Sequence, residues 1–114
     1  MQQLTRPTQT IVHHTEESSH LLSTVWLKER NVVKLEMALF PVNTHTGNVE
    51  YGDPVFTYSV HASDGAMPDA AMDTIQALSH AIMLRAFHAN KCSAIELRCE
   101  TMIDAYERAR GTRK

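Results

Sequence analysis

The segment MPDAAMDTIQALSHAIMLRAFHAN, residues 67–90, decides the fold. Pro68 suits a first helical position, because its φ is already helical and its missing N–H has no partner there. Asp69 and Asp73 follow in or near the first turn, where the positive end of the helix dipole favours carboxylates. Good helix formers dominate from there, with no Gly or Pro before Asn90. Asn90 is a left-handed stop, and Lys91 places a cation at the negative end. Ala71, Ile75, Leu78, Ile82, Ala86 and Ala89 recur at helical spacing and predict the side turned towards a sheet. Asp69, Asp73, Gln76 and His80 begin the opposite side, which then turns apolar at Met83, Leu84 and Phe87. A helix apolar nearly all round in its second half is covered on two sides.

Upstream, Val32 to Phe40 has a period of two, with Val33, Leu35, Met37 and Leu39 on one face and Lys34 and Glu36 on the other. Pro41 ends that strand. Pro54 to His61 (PVFTYSVH) reads as a second strand, and Ser63-Asp64-Gly65 leads into the helix. His20 to Glu29, carrying Leu21, Leu22, Val25, Trp26 and Leu27, fits a strand better than a helix. Arg30 and Asn31 then turn it into its neighbour. Thr8 to His14 (TQTIVHH) is β-branched and reads as a short edge strand, with Thr15 to Ser19 a turn or loop. Val42 to Asp53 is irregular, with Gly47, Asn48 and Gly52 as turn formers.

Downstream, Ser93 and Glu96 form a capping-box pair. Ile95, Cys99, Met102, Tyr106 and Ala109 then recur at spacings of four and three, which predicts a second helix paired with the first through Asn90–Cys92. Cys92 to Cys99 also reads as a strand, since Ile95, Leu97 and Cys99 alternate. The expectation is a single α+β domain over residues 1–114, with 1–7 and 111–114 frayed. Three to four antiparallel strands are packed by one long helix, and a C-terminal helix follows.

The run Asp73-Thr74-Ile75-Gln76-Ala77-Leu78, placed after paired strands and a closing proline, resembles a family of small bacterial domains of unknown function. There, strands precede a helix with a similar D-x-x-Q-A-L run. The likeness spans about residues 20 to 90; where that family has a Gly before the Asp, this chain has Met72. The resemblance implies the order of strands and helix and brings no activity with it.

Composition excludes more than it selects. The 114 residues are 43% apolar and 21% charged, with a net charge of −2, so nothing general draws the chain to nucleic acid or acidic membranes. Residues 1–73 hold 4 basic and 9 acidic side chains, whereas residues 74–114 hold 7 and 4. With no apolar leader and no run of 18 apolar residues, the chain reads as cytoplasmic, without a membrane partner. Seven histidines invite a metal, yet none has the spacing of H-E-x-x-H, and no four-ligand set is present, so no metal or other cofactor is expected. G-x-S-x-G and phosphate-loop patterns are absent, and Cys92 and Cys99 read as packing residues.

What remains is a non-enzymatic protein-interaction module: an inhibitor, immunity-type or adaptor protein of a bacterium or mobile element, docking on a protein partner or on itself as a homodimer. Met83, Leu84, Phe87, Met102 and Tyr106 are the candidate partner-binding residues; the alternative is that Met102 and Tyr106 cover the others within one chain. A second reading places a small ligand or a modest reaction in a pocket between sheet and helix, at His61, Asp73 and His80. A third uses the basic residues 108–114 for nucleic acid, against which the interleaved Glu96, Glu100, Asp104 and Glu107 argue.

Overall fold

A computed structural model describes residues 2, 3, 6–15, 18–63, 69–89 and 94–110 of the protein. Among these residues six strands and two helices follow one another: β1 (Gln2–Gln3), β2 (Thr8–Thr15), β3 (Ser18–Glu29), β4 (Val32–Pro41), β5 (Phe56–Ser63), α1 (Asp69–His88), β6 (Ala94–Cys99) and α2 (Met102–Arg110). The α+β class is as the sequence predicts, with more strands than the three to four expected. They form one sheet in the order β1-β3-β4-β5-β6, with β2 beside β1 along the same edge of β3. Every pair is antiparallel except β5 and β6.

The meander β3-β4-β5 follows from period-two patterning. Leu22, Trp26, Val33, Leu35, Met37, Leu39, Phe56, Tyr58, Val60 and Ala62 all point to one side and are buried. Full burial of a side chain such as Leu35 or Phe56 is worth about 1.5–3 kcal/mol. Both helices pack on this side: Met72, Ile75 and Met83 of α1 join Met102 and Ala105 of α2 in the same core. Among the described residues no helix covers the other side.

Four expectations change. Residues 94–99 are not the start of a helix but the strand β6, lying parallel to β5 with Tyr58 beside Ile95 and Val60 beside Leu97. The alternation of Ile95, Leu97 and Cys99 prevails because β5 offers an edge to pair with and a core for those three side chains. The helix starts later, after Thr101, whose Oγ1 accepts a bond from the Asp104 amide at 3.1 Å. The two helices are therefore joined through strand β6 and not by a hairpin turn, and α1 is the crossover between the parallel strands β5 and β6; Asn90–Ser93 lie outside the described residues.

Second, α1 turns Met72, Ile75, Ser79 and Met83 to the sheet, while Leu78, Ile82 and Ala86 are half-buried and Ala89 is exposed. The helix is rotated from the predicted stripe by less than one residue's step of about 100°. A polar contact accompanies this rotation: the Trp26 indole N–H donates to Gln76 Oε1 at 2.9 Å across the sheet–helix junction. In the D-x-x-Q-A-L run, then, Ile75 is core and Gln76 is the acceptor for Trp26. Third, Thr15 and Ser18 belong to β2 and β3 instead of a loop, and Thr15 pairs with Ser18. Fourth, Gln2 and Gln3 pair with Lys28 and Leu27.

Candidate functional site

Because side chains alternate across a strand, the registers fix which residues share the uncovered face, and they fall into transverse rows about 7 Å apart. At one end Ile11, Leu21 and Phe40 stand side by side on β2, β3 and β4. Val55 comes next, its amide bonded to the Leu39 carbonyl at 2.8 Å. The following row is small and polar: Gln9, Ser23, Ala38, Thr57 and Ala94. Then come Val25, Glu36, Ser59 and Glu96, and after them Leu27, Lys34, His61 and Arg98. The face thus grades from apolar to small, then acidic, then cationic.

A folded-back loop completes the apolar row. Asn43 Oδ1 accepts from the amides of His45 and Thr46, and the Asn43 and Glu50 amides bond Asn48 and Pro41 carbonyls. Gly47 takes φ 76° there, a conformation that a side chain would strain. The return leg lays Tyr51 against Phe40, ring centroids 5.5 Å apart. Among the described residues five large apolar ones are well exposed, namely Ile11, Val32, Tyr51, Val55 and Ile103. All but Ile103 belong to this face. Beside the row the small side chains leave a shallow trough of about 360 Å³, lined by Ser23, Val25, Glu36, Phe40, Thr57 and Ser59 among others.

At the charged end, Glu96 Oε1 lies 3.0 Å from Arg98 Nη2 and 3.4 Å from His61 Nε2, and Lys34 pairs with Glu36. His61 is held below the usual histidine range by partial burial first, then by Lys34 and Arg98, with Glu96 and Glu36 pulling the other way. Two further depressions, of about 290 and 280 Å³, meet at Val32 and His61. The cations here already have carboxylate neighbours, so the row is close to neutral.

The pocket foreseen at His61, Asp73 and His80 does not assemble. His61 points to the uncovered side, whereas Asp73 and His80 ride on α1 across the sheet, with Asp73 exposed. His80 Nε2 is buried with no hydrogen-bond partner among the described residues, and burial lowers its pKa. Among the described residues no group of His, Cys, Asp and Glu is arranged to hold a metal ion.

Nor do the five partner-binding candidates form an exposed face. Met83 and Met102 are 0% and 3% exposed, and Leu84, Phe87 and Tyr106 are half-buried against the core. Phe87 packs edge-on to Phe56 at 5.8 Å and to His20 at 5.1 Å. The surplus apolar side of α1 is thus covered by α2 and the sheet, the alternative that the sequence left open. Sequence reasoning missed the apolar row because its members are spread from Ile11 to Val55 and meet only through strand register. Among the described residues no helix is long and apolar enough to cross a membrane. No protein-family model, no curated protein and no solved structure matches this chain, so the likeness in the D-x-x-Q-A-L run assigns it to no family.

Proposed function

We propose that this protein is a non-enzymatic docking module, an inhibitor or adaptor in type, whose contact surface is the uncovered face of its sheet. One observation carries the reading: among the described residues, four of the five well-exposed large apolar ones gather on that face, three of them, Ile11, Val55 and Tyr51, along the row that holds Phe40. Exposed apolar clusters rimmed by polar groups mark interaction surfaces, and aromatic residues are enriched in interface cores. The graded charge beyond the row supplies orientation, since interleaved charges favour one partner alignment over others.

The test is native mass spectrometry of complexes captured from the host's own lysate, on three versions of the chain. The wild type and Ile103→Asp retain the same stoichiometric partner, and Phe40→Asp loses it while melting as a folded protein. A partner kept by folded Phe40→Asp removes this face from the reading.

A second reading, a small-ligand site, is favoured by the two depressions that share His61. A small anion there would touch Lys34, His61 and Arg98. Titration with inorganic phosphate, followed through the His61 imidazole signals by NMR, tests it; signals that stay fixed to millimolar phosphate end it.

A further inference from the structure

We infer that the docked partner anchors itself with an arginine laid in the trough beside Phe40, its guanidinium on Glu36 and its apolar neighbours on the row of Ile11, Phe40 and Tyr51. The inference rests on the docking function proposed above and names the chemistry of the partner's contact segment. Charge points to it first. From Leu35 to Val60 the chain carries Glu36, Glu50 and Asp53 and no Lys or Arg. Glu36 borders the small polar row on one side. On the other side Glu50 and Asp53 flank Tyr51 along the exposed return leg, and Tyr51 lies against Phe40. Between them, Gln9, Ser23, Ala38, Thr57 and Ala94 and the apolar row hold no charge. The end of the face that carries the exposed apolar side chains is therefore bordered by carboxylates.

The cations of the face do not cancel this. Lys34 belongs to the row beyond Glu36, two residues further along β4, so Glu36 stands between Lys34 and the trough. Lys34 reaches the carboxylate from behind, and a carboxylate accepts bonds on both of its oxygens. Arg98 sits in the same far row as Lys34, two strands away across β5.

Shape agrees with charge. The trough holds about 360 Å³, near the lower end of the roughly 300–1,000 Å³ of ligand pockets, which suits one long side chain. Val25, Ala38 and Phe40 give its apolar lining, Ser23 and Thr57 lie beside Ala38, and Ser59 stands opposite Glu36. An arginine stem covers apolar carbon while its planar head offers five donors to carboxylate and hydroxyl acceptors. Arginine also stacks on aromatic rings, which lysine does less well, and Phe40 supplies the ring. A neutral residue there would cover Glu36 without pairing it, and an acidic one would meet like charge.

The experiment is an NMR titration of the backbone amides with the tripeptide acetyl-Leu-Arg-Leu-amide, against the same peptide carrying citrulline, which has the shape of arginine without its charge. Additions run to about 20 mM, because a probe held by one anchor binds in the millimolar range. The arginine peptide shifts the amides of Ala38, Phe40, Thr57 and Ser59 and binds at least about tenfold tighter than the citrulline peptide. Glu36→Gln removes that preference, and so does Ser59→Arg, which sets the chain's own guanidinium beside Glu36; far-UV circular dichroism confirms both folds. Amides that stay fixed overturn the inference. So do arginine and citrulline peptides that bind alike, or a preference that survives in folded Glu36→Gln. If the amides stay fixed while Phe40→Asp still loses its partner from lysate, the arginine anchor falls and the docking function stands.

Discussion

The two faces of one sheet, built from the same strands, differ in what covers them. Towards the helices, Leu35, Leu39 and Tyr58 are 0% exposed and Trp26 is 2% exposed. One residue along each strand, Lys34, Glu36, Ala38, Ser59 and His61 are half-buried and Val32 is exposed. The first face stabilises the fold; the second, on the docking function proposed above, serves contact at limited cost to stability. If that division is right, substitutions on the two faces separate cleanly. Leu35→Ala should lose about 2–5 kcal/mol in denaturant unfolding, through lost transfer energy and the cavity left behind. Phe40→Ala, on the uncovered face, should lose less than about 1.5 kcal/mol. Equal losses would mean that the uncovered face is a second core and not a contact surface.

Next in size is the polar contact inside the covered face. Gln76→Leu leaves the buried Trp26 indole N–H without its acceptor, and an orphaned buried donor costs about 1–3 kcal/mol. Trp26→Phe in the Gln76→Leu background recovers part of that loss, because both polar groups are then gone. A double-mutant cycle in urea measures the coupling. Additive losses would show that the bond does not set the rotation of α1.

These residues also explain what could be read in advance. The strands around Leu35 and Tyr58 were legible because a two-sided environment writes a period of two into the chain. The covered side of α1 was not, because Met72, Ile75, Leu78, Ile82, Met83 and Phe87 surround much of it and leave no single dominant stripe. Its rotation follows instead from packing between distant elements, with Trp26 and Gln76 meeting across fifty positions of sequence. β6 was ambiguous for a related reason. Ile95 and Cys99 fit both a four-residue spacing and an alternation, and only the free edge of β5 decides between them. The apolar row depended on register throughout: Ile11, Leu21 and Phe40 carry no shared local pattern.

Smaller effects come from pH, on both faces. His80, on α1, is held below the ordinary histidine pKa of 6.5 by burial, as is His61 on the uncovered face, where Lys34 and Arg98 add to burial and Glu96 opposes them. For a histidine with a lowered folded pKa, the unfolded chain binds the extra proton first. The stability it contributes is therefore complete above 6.5 and falls as pH drops below it. His80→Gln and His61→Gln should each flatten that loss, because each removes a group whose protonation burial opposes. Unfolding free energies at neutral and mildly acidic pH measure it. A loss as steep in either variant as in the wild type would mean that burial of that histidine does not oppose its charge.

The smallest expected effect lies at the turn that joins β3 to β4 and so belongs to both faces. Arg30 has φ 55°, the left-handed region in which side-chain-bearing residues other than Asn and Asp are uncommon. The tight hairpin holds it there, with Glu29 paired to Val32 on either side of the two-residue turn. Arg30→Gly removes the steric cost, about 1 kcal/mol, and returns part of it as unfolded-chain entropy, for a net gain of a few tenths of a kcal/mol. Arg30→Asn should gain as much or more, since asparagine tolerates that φ with less entropy to lose. Arg30→Val should lose stability, because a β-branched side chain is the worst fit to a left-handed turn. Thermal melting of the three variants resolves the order Asn or Gly, then Arg, then Val. The reverse order would place the register of β3 and β4, and with it the rows on both faces, under the control of Arg30 side-chain contacts instead of backbone geometry.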